Sequence, residues 1–181
     1  NKFGLSEIFA VPFPLFLAGV NPRSALHRVL AGSMFPLDKD HVYARNFEVP
    51  AGGGVGTARA IAHAYGVFAN GGKELGLREE TLRQLMAPPI APLKGFRDGA
   101  LKVEVQFSLG FTKPSPKHPF ASPGSFGAPG TGGSFGFADP QAGIGYGYVL
   151  NGMGWHLEDP RELALRTALY RSIGESTPAQ Q

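Results

Sequence analysis

The hydrophobic period of this chain changes from helical to extended at Leu101, and that change limits the folds open to it. Before it, apolar residues recur at helical spacing. Ser24 to Ala31 carries Ala25, Leu26, Val29 and Leu30 ahead of Gly32. Thr57 stands where an N-cap belongs, followed by Ile61, Ala64, Tyr65 and Phe68 on one face and by Gly71-Gly72 as a stop. A further helix, Arg78 to Met86, ends at Pro88-Pro89. After the change, Leu101, Val103, Val105 and Phe107 alternate with polar partners, and Ser108-Leu109-Gly110-Phe111 extends the same strand. Ser134 to Ala138 and Ile144 to Leu150 read as two more strands around Asp139-Pro140-Gln141-Ala142-Gly143, a hairpin turn by composition. Asp159-Pro160-Arg161-Glu162 joins an acidic N-cap, a proline at the first helical position and a glutamate at N3, so a last helix runs to Ile173 with Leu165, Leu169 and Ile173 as its buried stripe. Without β-α-β alternation, this order predicts an α+β fold in which helices flank an antiparallel sheet.

Composition sets the outer limits. The 181 residues are 43% apolar and 17% charged, enough to bury a core, while 26 glycines and 16 prolines predict many turns. No cysteine is present, which excludes a disulfide framework, a thiolate metal site and a cysteine nucleophile, and leaves the compartment open. Nine Lys/Arg face seven Asp/Glu in residues 1–90, and eight face seven in residues 91–181, so no basic stripe suggests a nucleic-acid partner. The longest apolar run, Ile8 to Val20, is interrupted by Pro12 and Pro14 and is too short to span a bilayer. It also lacks the flanks of a signal peptide. An N-terminal Asn1 rather than Met leads us to expect a chain that starts within a longer protein.

Motif searches exclude several chemistries. Gly127 and Gly132 have Walker spacing, but Gly133 stands where the phosphate-binding lysine is required. The Gly52–Gly56 cluster fails as a dinucleotide fingerprint, because Arg59 occupies the third small position and Pro50 interrupts the preceding strand. His27, His41, His63, His118 and His156 are dispersed, with no pair at i, i+4, so no metal and no cofactor is implied. There is no G-x-S-x-G elbow, no serine followed by lysine at S-x-x-K spacing, and no Tyr-x-Asn.

One stretch nevertheless resembles a known family. Phe126-Gly127-Ala128-Pro129-Gly130-Thr131-Gly132-Gly133-Ser134-Phe135-Gly136-Phe137-Ala138-Asp139-Pro140, followed by Gly145-Tyr146-Gly147-Tyr148-Val149-Leu150-Asn151, is similar to the carboxy-terminal signature of the serine β-lactamase-related family. That family includes class C β-lactamases, penicillin-binding proteins and family VIII-type esterases. Glu48-Val49-Pro50-Ala51-Gly52-Gly53-Gly54 and Thr57-Ala58-Arg59-Ala60-Ile61-Ala62 resemble its E-[IV]-P-A-x-x-G and T-A-R-x-[IL]-A segments. The likeness runs from about residue 24 to 173.

The resemblance implies a β-lactamase/transpeptidase-like fold, here incomplete: an antiparallel sheet flanked by helices, with part of a helical subdomain. Residues 1–95 would be the mainly helical and loop part, 96–174 the sheet with its C-terminal helix, and 175–181 a tail. It implies a small-molecule ester or amide substrate handled through an acyl-enzyme, with the nucleophile and base motifs in a missing N-terminal half of the same domain. Within this chain, Ala128-Pro129-Gly130 matches the family's Lys-Thr-Gly or His-x-Gly motif, so a methyl group replaces the cation or imidazole. The Thr131 backbone N–H would be an oxyanion donor, and Ala128, Gly130, Gly132 and Gly133 would border the substrate. The chain alone is expected to be inactive. A non-catalytic binding or structural module of the same fold is the alternative, and a plain glycine-rich turn remains an open reading of the loop.

Elsewhere the ordinary reading applies. Tyr146, Tyr148 and Trp155 are expected to fill core or cover a sheet edge. Lys113, Lys117 and His118 lie in an acid-free stretch, Val105 to Ala138, and read as a solvated loop rather than an anion-steering patch. Arg161, Arg166 and Arg171 are expected on a wet helix face.

Overall fold

The structure is a computed structural model that describes residues 13–32, 54–130, 132–152, 154 and 159–174. It divides into two compact units, Asn1–Gly56 with Asp98–Val103, and Thr57–Arg97 with Glu104–Gln181.

In the first unit, α1 (Phe13–Val20) and α2 (Ala25–Gly32) are joined by a short turn. Ser24 caps α2: its Oγ accepts the His27 amide at 2.9 Å and donates to the Ala18 carbonyl. The sequence pattern missed α1, because an apolar run without polar punctuation has no helical period. Pro14 lies in the first turn of α1, where no N–H is needed. Asp98 organises the other described piece: its Oδ1 accepts the amides of Ala100 and Leu101 at 2.8 and 2.7 Å.

That Asp98 loop overturns the strand expected from Leu101 to Phe107. Only Phe107–Ser108 (β1) is extended as a strand, and Leu109-Gly110, with φ of 49° and 86°, turns directly into β2 (Phe111–Thr112). Positive φ at both central residues is the type I′ pattern that matches strand twist. Alternating hydrophobicity here marks a hairpin arm and an Asx loop, which the pattern alone does not separate.

The second unit holds a five-stranded antiparallel sheet in the order β1-β2-β3-β4-β5, with β3 Phe126–Pro129, β4 Phe135–Asp139 and β5 Ile144–Tyr148. Helix α3 (Ala58–Ala69), capped by Thr57 Oγ1 on the Ala60 amide, lies on one face against β4 and β5. Its approach depends on glycine. A Cβ at Gly145 would fall 2.0 Å from the Gly66 nitrogen, one at Gly147 2.6 Å from the Ala58 carbonyl, and one at Gly136 2.5 Å from the Tyr65 ring. The helix therefore turns Ala58, Ile61, Ala62, Tyr65 and Gly66 to the sheet, while Ala64, expected on the buried face, is exposed.

Beside this glycine track, Phe126, Ala138, Ala69 and Leu85 form a core with Phe68, Phe111 and Tyr65 around it in edge-to-face contacts. Leu85 comes from α4 (Glu79–Met86), which follows a 3₁₀ turn at Lys73–Leu75. Because side chains alternate along a strand, the opposite sheet face presents Phe135, Phe137 and Tyr146, which pack with Phe120, Ala121 and Tyr170.

Tyr170 belongs to α5 (Pro160–Ser172), and α5 reverses the sequence expectation. Its buried stripe is Glu162, Arg166 and Tyr170, whereas Leu165 and Ile173 are 57% and 45% exposed. Arg166 is consequently not on a wet face. It pairs with Glu162 (Nε–Oε1 2.9 Å) and donates to the Phe120 carbonyl at 2.9 Å. Among the described residues no helix is long and apolar enough to cross a membrane.

Candidate functional site

The glycine-rich bend after β3 can be built from its neighbours. Strand β3 is fully paired with β4, Ala128 opposite Gly136 and Pro129 opposite Phe135, but β2 reaches it only at Gly127. Ala128, Pro129 and Gly130 are therefore exposed, with no strand registered against their other side among the described residues. Tyr65 of α3 lies behind this end: burial raises its hydroxyl above the ordinary tyrosine range, and a hydrogen bond with the Ala128 backbone opposes that rise.

Beyond Pro129 the chain closes on itself. The Gly130 amide donates to the Ser134 carbonyl at 2.7 Å and the Gly133 amide to the Gly130 carbonyl at 3.2 Å, with φ of 89° and 106° at Gly132 and Gly133. Left-handed backbone at two successive residues requires glycine. Gly133 has a second constraint, since a Cβ there would fall 2.8 Å from Asp159 Oδ2. The space next to Gly133 is thus occupied by the α5 N-cap.

Asp159 is buried and braces the bend from behind. Its carboxylate accepts Arg161 Nε at 2.9 Å and the Arg161 amide at 2.9 Å, and Arg161 also donates to the Gly152 carbonyl at 3.0 Å. Those Arg161 hydrogen bonds outweigh burial and hold the Asp159 carboxyl at about 2. The amide of Gly154 adds a bond of 2.7 Å to the Gly132 carbonyl. The D-P-R-E run identified Asp159 as a cap, but its contact with a bend some 25 residues earlier had no local signal.

The other expected site residues separate. Thr131 and Trp155 lie outside the described residues, as does the Glu48–Gly53 segment. Gly130 and Gly132 belong to the bend with Gly133, and the Ala128 methyl is on its exposed approach. Tyr146 is a core residue, stacked on Phe137 at 4.9 Å between centroids; burial and the Glu162 carboxylate push its hydroxyl well up. Lys117 pairs with Glu104 at 3.1 Å on the surface. Lys113, by contrast, is 1% exposed, which contradicts its expected place in a solvated loop.

The arrangement offers a strand end open on one side, followed by a glycine turn whose Gly130 and Gly133 amides are engaged within it, and Ala128 itself brings neither a cation nor an imidazole. Without a Cβ at Gly130, an acyl group can approach the strand backbone closely there.

Known proteins share the sequence and the fold over part of the chain. The family model described as Beta-lactamase matches residues 16–170. The esterase/beta-lactamase LipL of Mycobacterium tuberculosis (strain ATCC 25618 / H37Rv) is 37% identical over 106 residues, 58% of this chain and 24% of that protein. A penicillin-binding protein homolog from Caulobacter crescentus superposes with a TM-score of 0.57 at 32% identity, covering 64% of this chain and 32% of that one. A family VIII carboxylesterase gives a TM-score of 0.56 at 34% identity, covering 64% and 31%. The chain thus spans between 24% and 32% of the length of these relatives.

Proposed function

This chain belongs to the beta-lactamase family, and from that premise we propose that it forms one wall of the acyl-transfer site of a serine hydrolase acting on a small ester or amide. The fold is the α+β, β-lactamase/transpeptidase-like arrangement, an antiparallel sheet flanked by helices. The observation behind the proposal is the exposed end of β3, Ala128-Pro129-Gly130, paired on one side only and running into a braced glycine bend.

In this reading the Thr131 amide donates to the substrate carbonyl oxygen as negative charge develops there, and Gly130 and Gly132 admit the acyl group beside the strand. Asp159 and Arg161 keep the bend in place. Substrate preference leans to esters by analogy with a relative named esterase/beta-lactamase and another named carboxylesterase. The sequence contains no S-x-x-K and no Tyr-x-Asn, so the attacking hydroxyl and its base come from polypeptide outside these 181 residues.

The purified chain is expected not to turn over p-nitrophenyl butyrate or nitrocefin, and the protein encoded together with its upstream sequence is expected to hydrolyse the ester. Turnover by the chain alone would refute the division of labour. An inert longer protein with degraded nucleophile and base motifs would favour a binding module instead.

A further inference from the structure

A cavity of about 510 Å³ lies in the second unit, lined by none of the residues of the glycine bend. Its walls are mostly apolar, with Pro88, Pro119, Ala121 and the Tyr170 ring among them, and its polar lining includes Gln106 and Gln141. Lys113 also lines it, the only cationic residue to do so among the described residues.

The surroundings of that lysine are incomplete. An ammonium has three donors, and Lys113 Nζ uses one on the Leu85 carbonyl at 2.7 Å, near the C-terminal end of α4. The Phe126 ring centroid is 5.4 Å away and contributes a cation–π contact. No carboxylate among the described residues pairs with it. Burial without a counter-ion disfavours its charged form and lowers Lys113 to about 8. Arg166, also a buried cation, has Glu162 as its partner.

A single buried positive charge in the wall of a mostly apolar cavity is best balanced by one negative charge on an apolar body. A phosphate dianion would exceed the charge available. We propose that this cavity is a binding site for a small monocarboxylate with an apolar body, anchored by the Lys113 ammonium and separate from the acyl-transfer wall.

Benzoate and its neutral isostere benzamide test this on the full chain by titration calorimetry. Benzoate should bind at least about tenfold more tightly than benzamide, and Lys113→Met should remove that advantage while Lys113→Arg keeps part of it. In the wild-type protein, nuclear Overhauser contacts from the benzoate ring should reach the Ala121 methyl and the Tyr170 ring, a readout that stands even where Lys113→Met does not fold. Equal affinity for the two probes, no benzoate binding at about 10 mM, an unchanged preference in Lys113→Met, or contacts only to other residues would each overturn the proposal.

Discussion

Glu162 and Arg166 lie one turn apart on α5, both nearly inaccessible, at 4% and 1% side-chain exposure. Removing one partner of such a pair leaves the other charge desolvated and alone, so Arg166→Leu should destabilise the fold by about 3–5 kcal/mol in urea denaturation. Replacing both, Glu162→Leu with Arg166→Met, should recover most of that loss. A single variant as stable as wild type would mean that the pair is not buried in solution. Asp139 is the neighbouring case. Burial alone would raise its pKa, yet hydrogen bonds from Ser122 and Tyr170 and from the Ser122 and Ala142 amides outweigh it and leave it lowered. Asp159 moves the same way, from 3.8 to about 2. A carboxyl depressed in the folded state binds its proton more readily when unfolded, so its stabilisation is complete above about pH 4 and is lost as pH falls toward about 2. The urea midpoint should therefore decline across that window, and Asp159→Asn should flatten part of the decline. An identical acid limb in the variant would show that Asp159 is not held by Arg161.

At the scale of elements, contact between α3 and the sheet depends on missing side chains rather than on interlocking ones. Gly145 and Gly147 alternate with Tyr146 and Tyr148, so β5 presents bare backbone to the helix and aromatic rings to the face packed with Tyr170. Gly145→Ala would drive a methyl into the Gly66 backbone 2.0 Å away and should cost about 1–3 kcal/mol or more, measured as a lower urea midpoint. Gly99→Ala, with nothing within 4 Å of its added Cβ, should stay within about 0.5 kcal/mol of wild type. Equal losses at the two positions would remove the packing argument. Helix ends were the most legible elements in the sequence: Thr57 and Asp159 cap the helices expected of them because capping is a local hydrogen bond within three residues. The strand expected over Leu101–Phe107 failed for the complementary reason. A strand needs a continuous ladder, and before Phe107 that segment has only the isolated Arg97–Glu104 bridge and the flanking bonds of Val103 and Val105 to Asp98 and Phe96.

For the whole molecule, the proposed acyl transfer would depend on what faces the open end of β3. The Ala128 methyl supplies no proton donor there, and, if the chain is extended by its upstream coding sequence as proposed, Ala128→His should raise kcat on p-nitrophenyl butyrate by about tenfold or more, with bell-shaped or shifted pH dependence near the imidazole range. No gain would indicate that this position does not reach the reacting atoms. The sequence by itself determined the α+β class, the capped helices, the hairpin of β4 and β5, and the family signature around Gly130, because period, caps and turn residues are written within a few positions of one another. Tertiary structure alone decided which stripe of α5 is buried, why Gly133 must be glycine, and that Lys113 is enclosed. Each of those depends on a group brought from far along the chain, such as the Phe120 carbonyl that receives Arg166 or the Leu85 carbonyl that receives Lys113. A polar side chain is buried only where such a partner meets it, and a local pattern records spacing without recording partners.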